Sequence, residues 1–248
     1  MKNTVITVFP NKAEEPKLPY RKNAIIMSQI AYLGVILSSL IGSLIFYFYQ
    51  KPAYRTTHKI LLFTLAFVFF LEAAGYFTSS RGINNVLLYN ICGTYLQSFL
   101  LVYYLKLLEV NKKFKRKTNY VFGGLYIWGI INSLFIQPID QVFQYYSLAP
   151  FGLFILFLSG RFLYQIIKLR VYSDANIMAV PHFWIVTVLI FFYIEVLILL
   201  GVNHFIPAID FEIWKPWLGL NRVFAGLMYL TFSLSFYTPF MFVDRKYN

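Results

Sequence analysis

Apolar residues are gathered along this chain in seven long blocks, at roughly 24–49, 59–80, 83–108, 119–137, 144–169, 182–204 and 213–240. Each is close to or above the ~20 residues a helix needs to cross a ~30 Å hydrocarbon layer. Runs such as Ile60 to Leu71 and Ile185 to Leu200 carry no alternation of polar and apolar positions, so a membrane β-barrel is not indicated. In a bilayer such runs become helices, because every backbone N–H and C=O must find its partner inside the segment. The connections are short and polar: Gln50 to His58, Arg81 to Gly82, Glu109 to Thr118, Pro138 to Phe143, Arg170 to Pro181 and Phe205 to Glu212. None can hold a soluble domain.

The pattern predicts an all-α polytopic membrane protein with seven transmembrane helices. A polar tail spans 1–23, the bundle 24–240, and a short tail 241–248. The apolar run from Ala24 is too long for a cleavable signal sequence and lacks a small-residue cleavage site.

Composition narrows the class. Hydrophobic residues make up 59% and charged residues 13%, against about 25% charged in an ordinary soluble domain. A soluble enzyme, a disordered chain and a nucleic-acid-binding module are all excluded on that ground. The net charge is +12, from 22 Lys and Arg against 10 Asp and Glu. Most basic residues stand between the blocks, where they set orientation and attract anionic lipid headgroups.

Lys51, Arg55 and Lys59 follow the first block; Lys112, Lys113, Lys115, Arg116 and Lys117 follow the third; Lys168 and Arg170 follow the fifth; Arg245 and Lys246 end the chain. The opposite side has only Arg81 and Lys215 in its loops. The excess of basic residues places the C-terminus in the cytoplasm and the N-terminus outside, in the cell's inner membrane. Lys2, Lys12, Lys17, Arg21 and Lys22 in the N-terminal tail argue the other way and are outvoted by four consistent segments. The run Lys112 to Lys117 is read as a topology anchor on anionic lipid, worth about 1 kcal/mol per basic residue, or as a docking site for a cytoplasmic partner.

Charges inside the blocks call for a named partner and a function. Glu72, Arg161, Glu195 and Arg222 are the four cases. At ~1.5 Å per residue, Glu72, Asn90, Glu195 and Arg222 lie about 11 to 15 Å below the outer ends of their helices. Reversing the orientation would move them together. Asn90, Thr94, Gln97, Leu101 and Tyr104 are spaced as one helix face, which should point into the bundle. Gly219, Ala225 and Gly226 stand three and four residues from Arg222 and let a neighbouring backbone come close.

The candidate site is therefore a polar cluster in the outer half of the bundle, formed by Glu72, Asn90, Glu195, Asn221 and Arg222 with Gln97 below, and Arg222 is expected to pair with a glutamate. Such a cluster is a ligand site, a proton or ion pathway, or a hydrogen-bond network that only pins helices. Arg161 is expected to reach the cytoplasmic interface with its long side chain. Gly34, Ser38 and Gly42 form a small-residue ladder that predicts close packing of the first helix.

Several chemistries lack their signatures. The seventh block has no interior lysine for a retinal, and His58, His182 and His204 form no His-x-x-x-His pair. There is no Gly-x-Ser-x-Gly and no phosphate-cradling loop. The lone Cys92 forms no intrachain disulfide and stands in no metal-ligand spacing. No enzyme activity, cofactor or metal is expected.

Trp214, Trp217 and Asn221 match the Trp-x-x-Trp-x-x-x-Asn element of nicotinamide riboside transporters, over eight residues and with no other motif of that family. A broader resemblance covers residues 60 to 240. Glu72, Asn84-Asn85, Leu88-Tyr89-Asn90 leading into Thr94, Ile131-Asn132-Ser133-Leu134-Phe135 with Gln137-Pro138, Pro181-His182-Phe183-Trp184 and Tyr193 carry it. On these the chain resembles uncharacterised small seven-helix inner-membrane proteins of the Bacteroidetes type. In that pattern His often stands where this chain has Asn90 and Glu where it has Gln97, which puts a shared acid–base role in doubt here. The resemblance implies no established activity; by analogy it points to membrane sensor modules that act with separate signalling proteins.

The leading expectation is a receptor-like or accessory signalling protein, its output supplied by a separate protein partner and its input by a small-molecule ligand. A small secondary transporter using Glu72 or Glu195, and a structural subunit of a membrane complex, are the alternatives. The bilayer with its anionic headgroups is a further expected partner; nucleic acid is not.

Overall fold

A computed structural model of the protein describes residues 27–49, 54–169, 176–206 and 211–242, with the side chains of residue 203 and residues 211–215 left out. The N-terminal tail 1–23, Lys51, Arg170, the side chains of Trp214 and Lys215, and the end of the C-terminal tail with Arg245 and Lys246 lie outside the described residues.

Seven helices are long and apolar enough to cross a membrane: α1 (Gln29–Tyr47), α2 (Arg55–Ser80), α3 (Val86–Leu108), α4 (Lys112–Ile136), α5 (Tyr145–Ile167), α6 (Pro181–Val202) and α7 (Pro216–Met241). No strand occurs among the described residues. Helix starts follow local chemistry. Ser28 Oγ accepts from Ala31 N–H at 3.1 Å to cap α1. Pro181 opens α6, where a missing N–H costs nothing. Between α2 and α3 the chain reverses through Gly82, at φ 69°, a conformation only glycine adopts without strain. Asn85 Nδ2 then donates back to Gly75 O at 3.3 Å.

The blocks and the helices agree within a few residues except at α4. The sequence pattern begins that helix at 119; the structure begins it at Lys112. Asn111 Oδ1 accepts from the N–H groups of Lys113 (2.9 Å) and Phe114 (3.2 Å), so the cap overrides the polar composition of the first turns. The basic run is thus not a loop but the opening of a helix. Lys112, Lys113, Arg116 and Lys117 are exposed on it and Lys115 is half-buried.

The core is a stack of apolar side chains from α1, α2, α3, α5, α6 and α7, including Ile36, Leu61, Leu101, Ile155, Leu189 and Phe232. At the end where α1 finishes, His58 is buried against Ser43 Oγ (Nε2 at 2.7 Å) and stacks on Phe236 with ring centres 4.2 Å apart. His182 Nδ1 meets Tyr104 OH at 2.8 Å. The small-residue ladder on α1 divides: Gly42 lies under α7, its carbonyl accepting from Tyr237 OH at 2.8 Å, while Gly34 has open space beside it. α4 stands apart, with 11% of its membrane window buried against 28% or more in every other helix.

Two helices leave the α geometry. Tyr89–Leu96 of α3 and Asn132–Ile136 of α4 are π-helical. A π turn adds about one residue, which rotates the remainder of the helix by about 100° relative to an unbroken α-helix. This decides where the polar face of α3 points.

Candidate functional site

A cavity of about 210 Å³ lies at the end of the bundle where α1 begins. Its polar wall is Gln29 and Tyr32 from α1, Glu72 from α2, Tyr89, Thr94 and Gln97 from α3, Tyr193 from α6, and Asn221, Arg222 and Tyr229 from α7. Phe143, Leu148, Phe192, Val196, Leu200 and Leu218 supply the apolar remainder. Four of the six residues expected from the sequence therefore meet at one wall: Glu72, Gln97, Asn221 and Arg222.

Their bonding is uneven. Glu72 accepts from Tyr89 OH at 3.1 Å and from Gln29 Nε2 at 3.3 Å, and both bonds fall on Oε2. No bond from a described residue falls on Oε1. Gln97 Nε2 donates to Tyr229 OH at 3.1 Å, tying α3 to α7. Asn221 Oδ1 is buried and has no hydrogen-bond partner among the described residues. Arg222 was expected to pair with a glutamate and does not: among the described residues the ion pair within 4 Å is Arg161 with Glu109. Arg222 and Glu72 line the same cavity without an ion pair between them.

Asn90 and Glu195 stand off this wall. Asn90 is fully buried and turned toward the segment between α4 and α5. Its Nδ2 donates to Ile139 O at 2.7 Å and Val142 O at 2.8 Å, and its Oδ1 accepts from Gln144 N–H at 3.1 Å. The π segment is the reason. An unbroken α-helix would put Asn90 and Gln97 on one face, whereas here the cavity row runs Tyr89, Gly93, Gln97, in steps of four, and Asn90 falls beside it. Glu195 misses the wall because the cavity face of α6 runs through Phe192, Val196 and Leu200, and one residue is about 100° of rotation. Both its carboxyl oxygens are buried without a partner among the described residues.

Beside the cavity a second polar cluster closes the same end. Asn132 Nδ2 reaches Gln144 Oε1 (2.8 Å), Ser147 Oγ (2.9 Å) and Gln137 Oε1 (3.0 Å). Tyr95 OH donates to Gly129 O at 3.0 Å and meets Ser133 Oγ at 2.8 Å. Asn90, Asn132, Ser133 and Gln137, all residues on which the family resemblance rests, thus serve to fix the 137–144 segment.

Other residues at or near the sites were not picked out by sequence reasoning. Gln29, Tyr32 and Tyr229 gave no signal, being common residues in an aromatic-rich membrane chain. Glu109 was read as a loop residue, yet it accepts from Arg161 Nε and from Gln165 Nε2 at 2.7 Å. Arg161, expected to reach toward the cytoplasmic interface, pairs with Glu109 just past the end of α3 and lies over the Phe114 ring at 3.7 Å. Among the described residues no three His, Cys, Asp or Glu side chains are grouped to hold a metal ion.

Gly75 makes room for the Tyr89 phenol. A Cβ at that position would come within 2.7 Å of Tyr89 Cζ. Gly75→Ala is expected to push the ring off Glu72 and to cost about 1 kcal/mol, the worth of one such hydrogen bond. Because Tyr89→Phe removes the same bond, the two changes should be less than additive in thermal unfolding. Full additivity would show that Tyr89 keeps its place.

Compared with known proteins, the chain matches no family model, no curated protein and no solved structure.

Proposed function

We propose that the protein is an integral membrane, receptor-like or accessory signalling protein that takes a small molecule into the outer half of its bundle and acts through a separate protein partner. The reading places it in the inner membrane, N-terminus outside, with the basic opening of α4 on the cytoplasmic side. The observation that carries it is the cavity itself: opposite charges, Glu72 and Arg222, line one space inside the membrane span without neutralising each other by contact. Intramembrane charges are expensive and are retained where they serve a ligand or a pathway. The described helices leave no room for an output domain in the connections between them, so a signal would be read by a second protein at the basic turns.

Native mass spectrometry of the protein gently extracted from its own host membrane tests this. The expected result is a stoichiometric protein partner, lost or weakened when Lys112, Lys113, Arg116 and Lys117 are replaced by glutamine. A lone chain in the wild type would sink the signalling reading.

Glu195 favours a second reading, a small secondary transporter. A carboxyl with both oxygens buried and unpartnered among the described residues is a group that can take up and release a proton. Proteoliposomes separate the readings: substrate uptake driven by a proton gradient and abolished by Glu195→Gln belongs to a transporter.

A further inference from the structure

We infer that the cavity between α1, α2, α3, α6 and α7 binds a small zwitterion, with a primary ammonium held by Glu72 and an oxyanion held by Arg222. This rests on the small-molecule reading above and names its ligand class. Three groups at the wall have unused bonding capacity among the described residues. Glu72 Oε1 receives no hydrogen bond while Oε2 receives two. Arg222 has neither an ion pair nor a side-chain hydrogen bond with a described residue. Asn221 Oδ1 is buried and unpartnered. A buried acceptor left unmade costs about 1–3 kcal/mol, and a lone charge more.

A ligand of one sign would satisfy one charge and leave the other isolated. A ligand with both signs bridges the gap that the protein leaves open. Its ammonium donates to Glu72 Oε1, and its oxyanion matches the fork of the Arg222 guanidinium.

Size and polarity narrow the class further. A cavity of ~150 Å³ holds one benzene, or about 25 Å³ per heavy atom, so about 210 Å³ holds about eight heavy atoms. That is an amino acid with a short alkyl side chain, or an ammonium and a phosphate two carbons apart. Phe192, Val196 and Leu218 are placed to cover the alkyl part. A free solute and the headgroup of an aminophospholipid share this chemistry.

The test uses the full chain in phosphatidylcholine nanodiscs, where no headgroup carries an ammonium N–H. L-Norleucine and phosphorylethanolamine are titrated against its thermal unfolding, with pentylamine and hexanoate as the halves of norleucine. At least one zwitterion is expected to bind tenfold or more tighter than either half, and Glu72→Gln and Arg222→Gln should each weaken it at least tenfold. Discs containing phosphatidylethanolamine distinguish the source: a raised unfolding temperature and suppressed binding of the solutes assign the site to the lipid headgroup. If a variant does not fold, the comparison of norleucine with its halves decides alone.

Pentylamine or hexanoate binding as tightly as norleucine overturns the zwitterion and leaves a small-molecule site standing. So does zwitterion affinity unchanged in both variants. No response to any zwitterion, in either disc, overturns the inference outright, and the partner measurement then judges the wider reading separately.

Discussion

Asn90→Leu is expected to destabilise the bundle by about 3 kcal/mol. Leucine keeps the branching at Cγ but has no polar atom; its higher helix propensity works against the expected loss, and its greater volume in a fully buried position adds to it. Asn90 satisfies three backbone groups, Ile139 O, Val142 O and Gln144 N–H, that have left helical geometry at the mouth of the bundle. Leucine would abandon all three in a buried setting, at about 1–3 kcal/mol each before relaxation. Relaxation is limited because the same segment is held from the other side by Asn132 and Gln137. Thr94→Val supplies the control: Thr94 is as deeply buried and bonds no described side chain, so its loss should stay under about 1 kcal/mol. Unfolding in mixed micelles measures both. A cost for Asn90→Leu no greater than that for Thr94→Val would show that the segment finds other partners. The loss should also reach the cavity, because Phe143 in this segment is part of its wall.

Arg161→Leu is expected to cost about 3 kcal/mol, the lower end of the range for breaking a buried ion pair, because the Arg161 side chain is 26% exposed while Glu109 is 5% exposed. What makes the loss large is the carboxylate left behind, with only Gln165 and the Asn111 N–H to hold it. The pair also sets a pH dependence. Burial pushes the Glu109 carboxyl up, but hydrogen bonds from Arg161, Asn111 and Gln165, with the Arg161 charge, hold it below its ordinary value. The folded state therefore binds this proton less readily than the unfolded chain. The stabilisation is fully present above the ordinary carboxyl value of 4.5 and is lost as pH falls through the lower folded value. Below about pH 4.5 the wild type should lose stability more steeply than Glu109→Gln. Parallel curves would rule out Glu109 as the source.

Element type was readable because the apolar blocks are long and the bilayer allows only helices to fill them. Boundaries were readable to a few residues wherever composition changes at the helix end. They failed at Lys112, where a single asparagine cap starts the helix inside a charged run. The site was half readable. Glu72, Gln97, Asn221 and Arg222 announce themselves as polar residues in apolar blocks, and depth arithmetic places Glu72 and Arg222 at one level. Asn90 and Glu195 passed the same depth test and failed on rotation, which one inserted residue in α3, or one residue of offset in α6, is enough to change. Nothing in the residues of Tyr89–Leu96 marks a π turn. The bond from Glu109 to Arg161 was hidden for a different reason: it joins residues 52 positions apart, and pairing over that distance is decided by tertiary packing.

α4 bears on how the two ends of the molecule communicate. It is little embedded along its length, with open space beside Gly123 and Gly124, and is held at its two ends and at its middle, where Phe122 and Tyr126 pack on Phe151 and Tyr126 OH donates to Tyr95 O at 2.8 Å. Its first turns carry the basic residues and lie against Arg161 through Phe114; its last turns are bonded through Gly129 and Asn132 to the segment that holds Phe143. Such an element behaves as a lever. At 25 residues it is about 37 Å long, and a tilt of about 3° moves one end by about 2 Å relative to the other. Phe122 and Tyr126 at its middle are the pivot, so a displacement of the charged turns moves the cavity mouth in the opposite sense, and a ligand that repositions Phe143 pulls on the other end of the same arm.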